Sequence, residues 1–172
     1  MINVIKSSIL FFVFGVVILA GCNGNDVTLN DGDKLITEEM DEVISDYIIQ
    51  KYSDSYGDTE EQFEVHKVYG TSESDEVLSV YMWSYYGGFN KSTGVRLQSG
   101  HSLPVVIMLS KKEETYAVTD YIEPEDGSFY QSSLKKMFPE KYVKFAQQDS
   151  GNIKDLEKEM DKKVKRWLDK QE

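Results

Sequence analysis

Cysteine is almost absent: one in 172 residues excludes a disulfide framework, and no paired Cys/His spacing offers a zinc site. Basic residues are also short, 19 Lys plus Arg against 30 Asp plus Glu, for a net charge of −11. That excludes a reader of nucleic-acid backbones, which needs a basic face to displace counterions from phosphate. Histidine occurs only at His66 and His101, so a metal centre has to borrow carboxylates, and no HExxH or EF-hand loop is written. Neither a metal nor a cofactor is expected. Internal repeats and low-complexity segments are missing. Long apolar runs are missing too, except at the N-terminus.

There Ile9 to Leu19 is continuously apolar behind a lone Lys6. This has the form of a signal-peptide h-region with its short positive flank, and it falls short of the roughly 20 residues that span a bilayer. The next residues, Leu19-Ala20-Gly21-Cys22, resemble the bacterial lipobox. Small side chains suit the peptidase subsites beside the cut, and a thiol is the soft nucleophile that lipid transfer needs. The resemblance implies removal of residues 1–21, a diacylglyceryl group on Cys22 and a mature chain that starts there. Acyl chains contribute about 0.8 kcal/mol per buried CH₂, so two or more give stable anchoring. Losing residues 1–21 takes the charge from −11 to −12, since one Lys and no acid depart. A body of that charge is repelled by an anionic leaflet. Residues 22–36, rich in Gly, Asn and Asp, read as the lipidated Cys and a flexible tether.

Residues 37–172 read as one α+β domain. Met40, Val43, Ile44, Tyr47, Ile48 and Tyr52 recur at three- and four-residue spacings behind Thr37, a fitting N-cap, with Glu38 and Glu39 in the first turn. The period then becomes two through Phe63–Tyr69 and Val77–Tyr86, and again through 102–110 and 115–122. Short polar turns make these strands antiparallel neighbours. The stretch 87–100 is a long loop or an extra strand near 95–97. Pro124-Glu125-Asp126-Gly127 is a turn, 132–138 a short helix cut by Pro139, and 153–170 a long helix with early acids and late bases. The predicted architecture is an N-terminal helix on an antiparallel meander of three to five strands, in two layers, with C-terminal helices. Its element order looks cystatin-like or nuclear-transport-factor-like, an analogy that carries no function.

Within 63–142 stand the strings Phe63 to Thr71, Val80-Tyr81-Met82-Trp83-Ser84, Ser102 to Val106, Glu123-Pro124-Glu125-Asp126-Gly127-Ser128, Lys136-Met137-Phe138-Pro139 and Lys141-Tyr142. They are similar to uncharacterised extracytoplasmic lipoproteins of low-GC Gram-positive bacteria. That resemblance implies an extracytoplasmic sensing or accessory role and transfers no catalytic residue.

Candidates for chemistry are few. His66 lies mid-strand, where a lone imidazole is more often a core-edge side chain than a ligand. His101 invites a hydrolase reading, but no GxSxG elbow accompanies it. Asp120, Glu123, Glu125 and Asp126 could pair as general acid and base, or form a solvated turn. Tyr81, Trp83 and Tyr85 share one strand face and could stack on sugars or a partner. The competing reading buries them beneath the helix starting at Thr37, and three exposed rings in a row are otherwise an aggregation hazard. The basic end of the last helix is either a wet face or a dock for anionic wall polymer. The expected function is that of a non-catalytic binding, sensing or accessory lipoprotein of the cell membrane's outer face. Its partner would be an envelope protein or a wall glycan. An envelope enzyme acting on glycan, and an inhibitor or immunity-type protein, are the alternatives.

Overall fold

A computed structural model of the chain describes residues 28–170. The apolar run and Leu19-Ala20-Gly21-Cys22 lie outside the described residues, as do residues 22–27 of the tether. A short strand β1 (Leu29–Asp31) is followed by helix α1 (Glu38–Tyr52) and four longer strands, β2 (Glu61–Ser74), β3 (Val77–Phe89), β4 (Ser99–Lys112) and β5 (Thr115–Ile122). All pair antiparallel in chain order, β1-β2-β3-β4-β5, so the meander has five strands. Three helices close the chain: α2 (Tyr130–Met137), α3 (Glu140–Asp149) and α4 (Lys154–Asp169). The α+β class, the N-capped helix and the C-terminal helices agree with the sequence. Thr37 Oγ1 accepts the Met40 N–H at 3.2 Å, as an N-cap should.

Several details differ, each for a physical reason. The two-layer expectation fails because both faces of the sheet are covered. On one face Met40, Ile44 and Ile48 of α1 meet Leu78, Val80, Met82, Tyr86, Val105 and Ile107. On the other, Val65, Tyr69, Trp83, Phe89 and Val106 lie under Leu134, Tyr142, Ala146, Leu156, Met160 and Val164 of α2, α3 and α4. Each large apolar side chain so buried is worth about 1.5–3 kcal/mol. Helix α3 is an element absent from the predicted architecture, in which Pro139 ends a helix and starts none. It is also a start: Pro139 occupies the N-cap of α3, where a missing N–H costs nothing. Residues 95–97 form no strand, and a 3-10 turn at Lys91–Thr93 leads into an irregular loop.

Part of the stretch 22–36 expected as a flexible tether is a strand. Leu29, Asn30 and Asp31 pair with Ser72, Thr71 and Gly70 on the outer edge of β2, and the Gly32 N–H continues to the Tyr69 carbonyl at 2.9 Å. The Asp31 carboxylate is held by Lys141 and by the Tyr142 hydroxyl at 3.0 Å, hydrogen bonds that keep its pKa below the ordinary range. Polar composition reads as flexible, yet here the polar groups are the ones that make the pairing. A strand therefore precedes the N-terminal helix.

The pairing also explains a β-bulge between Val68 and Gly70. A Cβ on Gly70 would meet the Tyr142 hydroxyl at 2.0 Å and the Asn30 carbonyl oxygen at 2.5 Å, one belonging to backbone. Only glycine lets β1 and α3 approach β2 together at this point. Gly70→Ala is expected to destabilise the fold by about 1–3 kcal/mol through overpacking, read as a lowered midpoint in urea unfolding. The same measurement should show Gly57→Ala, where a Cβ meets nothing within 4 Å, close to unchanged.

Candidate functional site

Strand alternation puts the side chains of Glu64 and His66 on one face of β2, toward α1. The Glu64 side chain is fully buried at 0% exposure and that of His66 is exposed to 3%. A buried carboxylate needs hydrogen bonds and a counter-charge on the spot. Glu64 has both: the Ser84 hydroxyl of β3 donates to Oε1 at 2.6 Å, and the Ser45 hydroxyl of α1 to Oε2 at 2.8 Å. The His66 Nδ1–H also reaches Oε2, at 3.0 Å. The other imidazole nitrogen, Nε2, faces Asp41 Oδ1 of α1 at 3.2 Å.

Burial alone would push the imidazole toward its neutral form. The field of Glu64, with the hydrogen bonds that the ring donates to Asp41 and Glu64, reverses this and raises the His66 pKa from 6.5 to about 10. Burial likewise opposes ionisation of Glu64, and the His66 charge with three hydrogen bonds outweighs it, so its pKa is lowered. Asp41 is lowered as well, first through its hydrogen bond to His66. The three residues therefore hold a carboxylate, an imidazolium and a carboxylate at neutral pH. An imidazolium that keeps its proton to about pH 10 is no general base near neutrality. What it can do is fix α1 on the sheet and keep one positive charge at a defined place. That place is the floor of a cleft of about 580 Å³, walled by Thr37, Glu38 and Asp41 of α1 and by Asp155 and Glu159 of α4.

His101 is in a different setting. Its Nδ1 shares a 2.8 Å hydrogen bond with the Tyr56 hydroxyl, and its ring lies 4.2 Å from Tyr52 and 5.4 Å from Tyr86, centre to centre. Burial lowers its pKa, so the ring is neutral at pH 7. Tyr52 in turn bonds to the Tyr121 hydroxyl at 3.0 Å and to the Glu123 carboxylate. This tyrosine cluster gives His101 aromatic packing partners at the end of α1. The acids named with Glu123 are spread along a wet surface: Asp120, Glu125 and Asp126 are exposed, and Asp120 Oδ1 accepts the Tyr121 N–H at 2.8 Å.

Tyr81, Trp83 and Tyr85 do share a face, but that face carries the roof of α3 and α4, not α1. Trp83 is 3% exposed and donates its indole N–H to Ser102 Oγ at 2.6 Å. Tyr81 is half-buried, hydrogen-bonds Ser72 and sits 5.7 Å from the Phe138 ring. Tyr85 is half-buried and packs against the same core. The three rings are thus core material and offer no open stacking platform, because the C-terminal helices need an aromatic floor to pack on. The basic end of α4 divides: Lys162, Lys165 and Arg166 are exposed, whereas Lys163 Nζ reaches across to the Glu64 carbonyl at 2.8 Å.

Sequence reasoning missed Glu64, Asp41 and Ser45 altogether. The available signal was weak: two ionisable residues two apart on one strand, with Asp41 and Ser45 four apart on the facing helix. A second missed group is Asp149, the buried last residue of α3, which accepts from Tyr69 at 2.8 Å and from Lys67 at 2.9 and 3.0 Å. Among the described residues, no group of three or more His, Cys, Asp or Glu could hold a metal ion, and no helix is long and apolar enough to cross a membrane. Comparison with family models, curated proteins and solved structures finds no match to this chain.

The ion triad makes stability depend on pH in a defined sense. Folding raises the His66 pKa, so its contribution is complete below pH 6.5 and is lost as the pH climbs toward 10. Folding lowers the pKa of Glu64 and Asp41, so theirs is present above their ordinary values of 4.5 and 3.8 and is lost in acid. Urea unfolding should accordingly show stability falling from pH 6.5 to 10 in the native chain, with a flatter profile over that window in His66→Gln. Glu64→Gln leaves the buried imidazolium with Asp41 as its one carboxylate and is expected to cost about 3 kcal/mol in the same assay.

Proposed function

We propose that the chain is a lipoprotein held on the extracytoplasmic face of the cell membrane by a lipid on Cys22, with residues 1–21 removed. Its domain serves as a non-catalytic binding, sensing or accessory module of the envelope. The observation that carries this reading is the run Leu19-Ala20-Gly21-Cys22 directly behind an apolar stretch too short to span a bilayer. The single cysteine of the chain stands at the one place where lipidation needs it.

The interior chemistry supports a binding role. His66 is spent as a fixed cation between two carboxylates, and His101 as a neutral ring among tyrosines. Asp149 is ion-paired with Lys67 and accepts the Tyr69 hydroxyl. The polar groups that burial could have tuned for proton transfer are used to lock helices onto the sheet. Surface and edges are then what remains for a partner, either another envelope protein or a wall glycan.

Cys22→Ser provides the test. The native chain is expected in the membrane fraction, with a mature N-terminal peptide carrying a diacylglyceryl mass. The variant is expected to lose that mass and leave the membrane pellet. A Cys22→Ser chain that stays membrane-bound without the lipid mass would overturn the anchoring.

A further inference from the structure

Strand β2 is paired to β3 from Glu61 to Ser74, but β1 covers its outer edge only at residues 70–72. Two further carbonyls on that edge are taken: Tyr69 by the Gly32 N–H at 2.9 Å and Glu64 by Lys163 Nζ at 2.8 Å. Antiparallel pairing turns the main-chain groups of alternate residues outward, so those of His66 and Val68 lie on the same edge as the Glu64 carbonyl. Among the described residues neither is paired by another strand on that side. The open stretch between the two capped carbonyls coincides with the floor of the 580 Å³ cleft, lined there by His66, Lys67 and Val68.

The geometry points to this edge as a docking site for an extended, cationic peptide segment of a partner protein, which adds to the sheet as a strand beside β1. Side chains of an added strand alternate between the two faces of the sheet. On one face they meet Glu38 and Asp41 of α1, on the other Asp155 and Glu159 of α4, with Asp33 also lining the cleft. The cations of the cleft are already engaged, His66 by Glu64 and Asp41, Lys67 by Asp149. Asp155 is itself paired with Lys158 at 3.5 Å, so the surplus carboxylates are Asp33, Glu38 and Glu159, and an incoming strand with Lys or Arg on each side complements them. Main-chain hydrogen bonds supply affinity in such strand addition, and the flanking side chains supply selection. Lys163, a lysine placed on a sheet edge, closes the site at Glu64 and limits pairing to the cleft.

The assignment names a partner class for the binding role proposed above and rests on that role. The probes are three labelled hexapeptides presented to the full chain in neutral detergent: Val-Arg-Arg-Val-Arg-Arg, which puts two arginines on each face of a strand, its counterpart with Glu in place of each Arg, and the Arg peptide N-methylated at alternate amides. The Arg peptide is expected to bind, more weakly as salt rises, and to slow hydrogen exchange at the His66 and Val68 amides. The Glu peptide should not bind. Methylation, which keeps the charge but removes the ladder, should weaken binding roughly tenfold or more. Val68→Pro deletes one outward N–H, a change edge strands tolerate, and should weaken binding to a similar degree. Absence of binding by the Arg peptide, or equal binding by its methylated form, overturns the site. A chain that anchors through Cys22 yet ignores the Arg peptide loses this edge site alone and keeps its place on the membrane.

Discussion

A carboxylate with no exposed surface has to be neutralised where it sits, and much of this structure is arranged around doing that for Glu64. Its oxygens draw in Ser84 from the neighbouring strand, Ser45 from α1 and His66 from two residues along its own strand. His66 in turn draws in Asp41, one helical turn before Ser45. Helix α1 is thereby fixed at two successive turns, in rotation as well as position. Apolar contacts between Ile44, Ile48 and the sheet are non-directional and would tolerate sliding. The polar network specifies which of the possible packings is kept, the role for which buried ionic groups are best attested. A parallel device operates on the opposite face, where Asp149 ties the end of α3 to Lys67 and Tyr69 of β2.

How much of this was legible in the sequence depends on the range of the signal. Helix α1 and its Thr37 cap were readable because cap, acids and apolar stripe are all local. The meander was readable because alternation and short turns imply antiparallel neighbours. Glu64 was not. Period-two logic assigns the polar phase of Phe63-Glu64-Val65-His66 to solvent, and that holds only for a sheet with one wet face. Here helices cover both faces, so the polar phase is also buried, and which helix covers which face is long-range information. The aromatic row shows the same limit: Tyr81, Trp83 and Tyr85 were correctly placed together, but their roof comes from α3 and α4, fifty and more residues downstream. β1 was lost to composition, since Asn30 and Asp31 resemble linker residues until Gly70, Lys141 and Tyr142 are in place to receive them.

Charge is distributed unevenly between interior and surface. The interior spends acids and bases in closed sets: Glu64 with His66 and Asp41, Asp149 with Lys67. The exterior keeps the surplus acidity, concentrated where helix starts and strand turns meet solvent. Such a surface acts on partners by selection at the encounter stage, favouring cationic segments and slowing anionic ones, with a strength set by ionic strength. A sheet edge in the same cleft converts that loose preference into registered contact.

The direction in which β1 runs has a geometric consequence. Leu29 pairs with Ser72 and Asp31 with Gly70, so the chain enters the sheet at the end where the β2–β3 and β4–β5 hairpins turn. Those tips carry Asp75, Glu76, Glu113 and Glu114, the first three held at positive φ, a conformation glycine or asparagine would adopt more readily. For a chain anchored at Cys22, the six residues 23–28 could reach roughly 20 Å at most, less than half the length of the 14-residue strand β2 at about 3.3 Å per residue. Anchored in that way, the domain would present an acid-tipped foot to the membrane. In a chain anchored as proposed, repulsion at the foot and the limited reach of residues 23–28 would oppose one another, and the Phe89 and His101 end of the sheet would lie farthest from the bilayer.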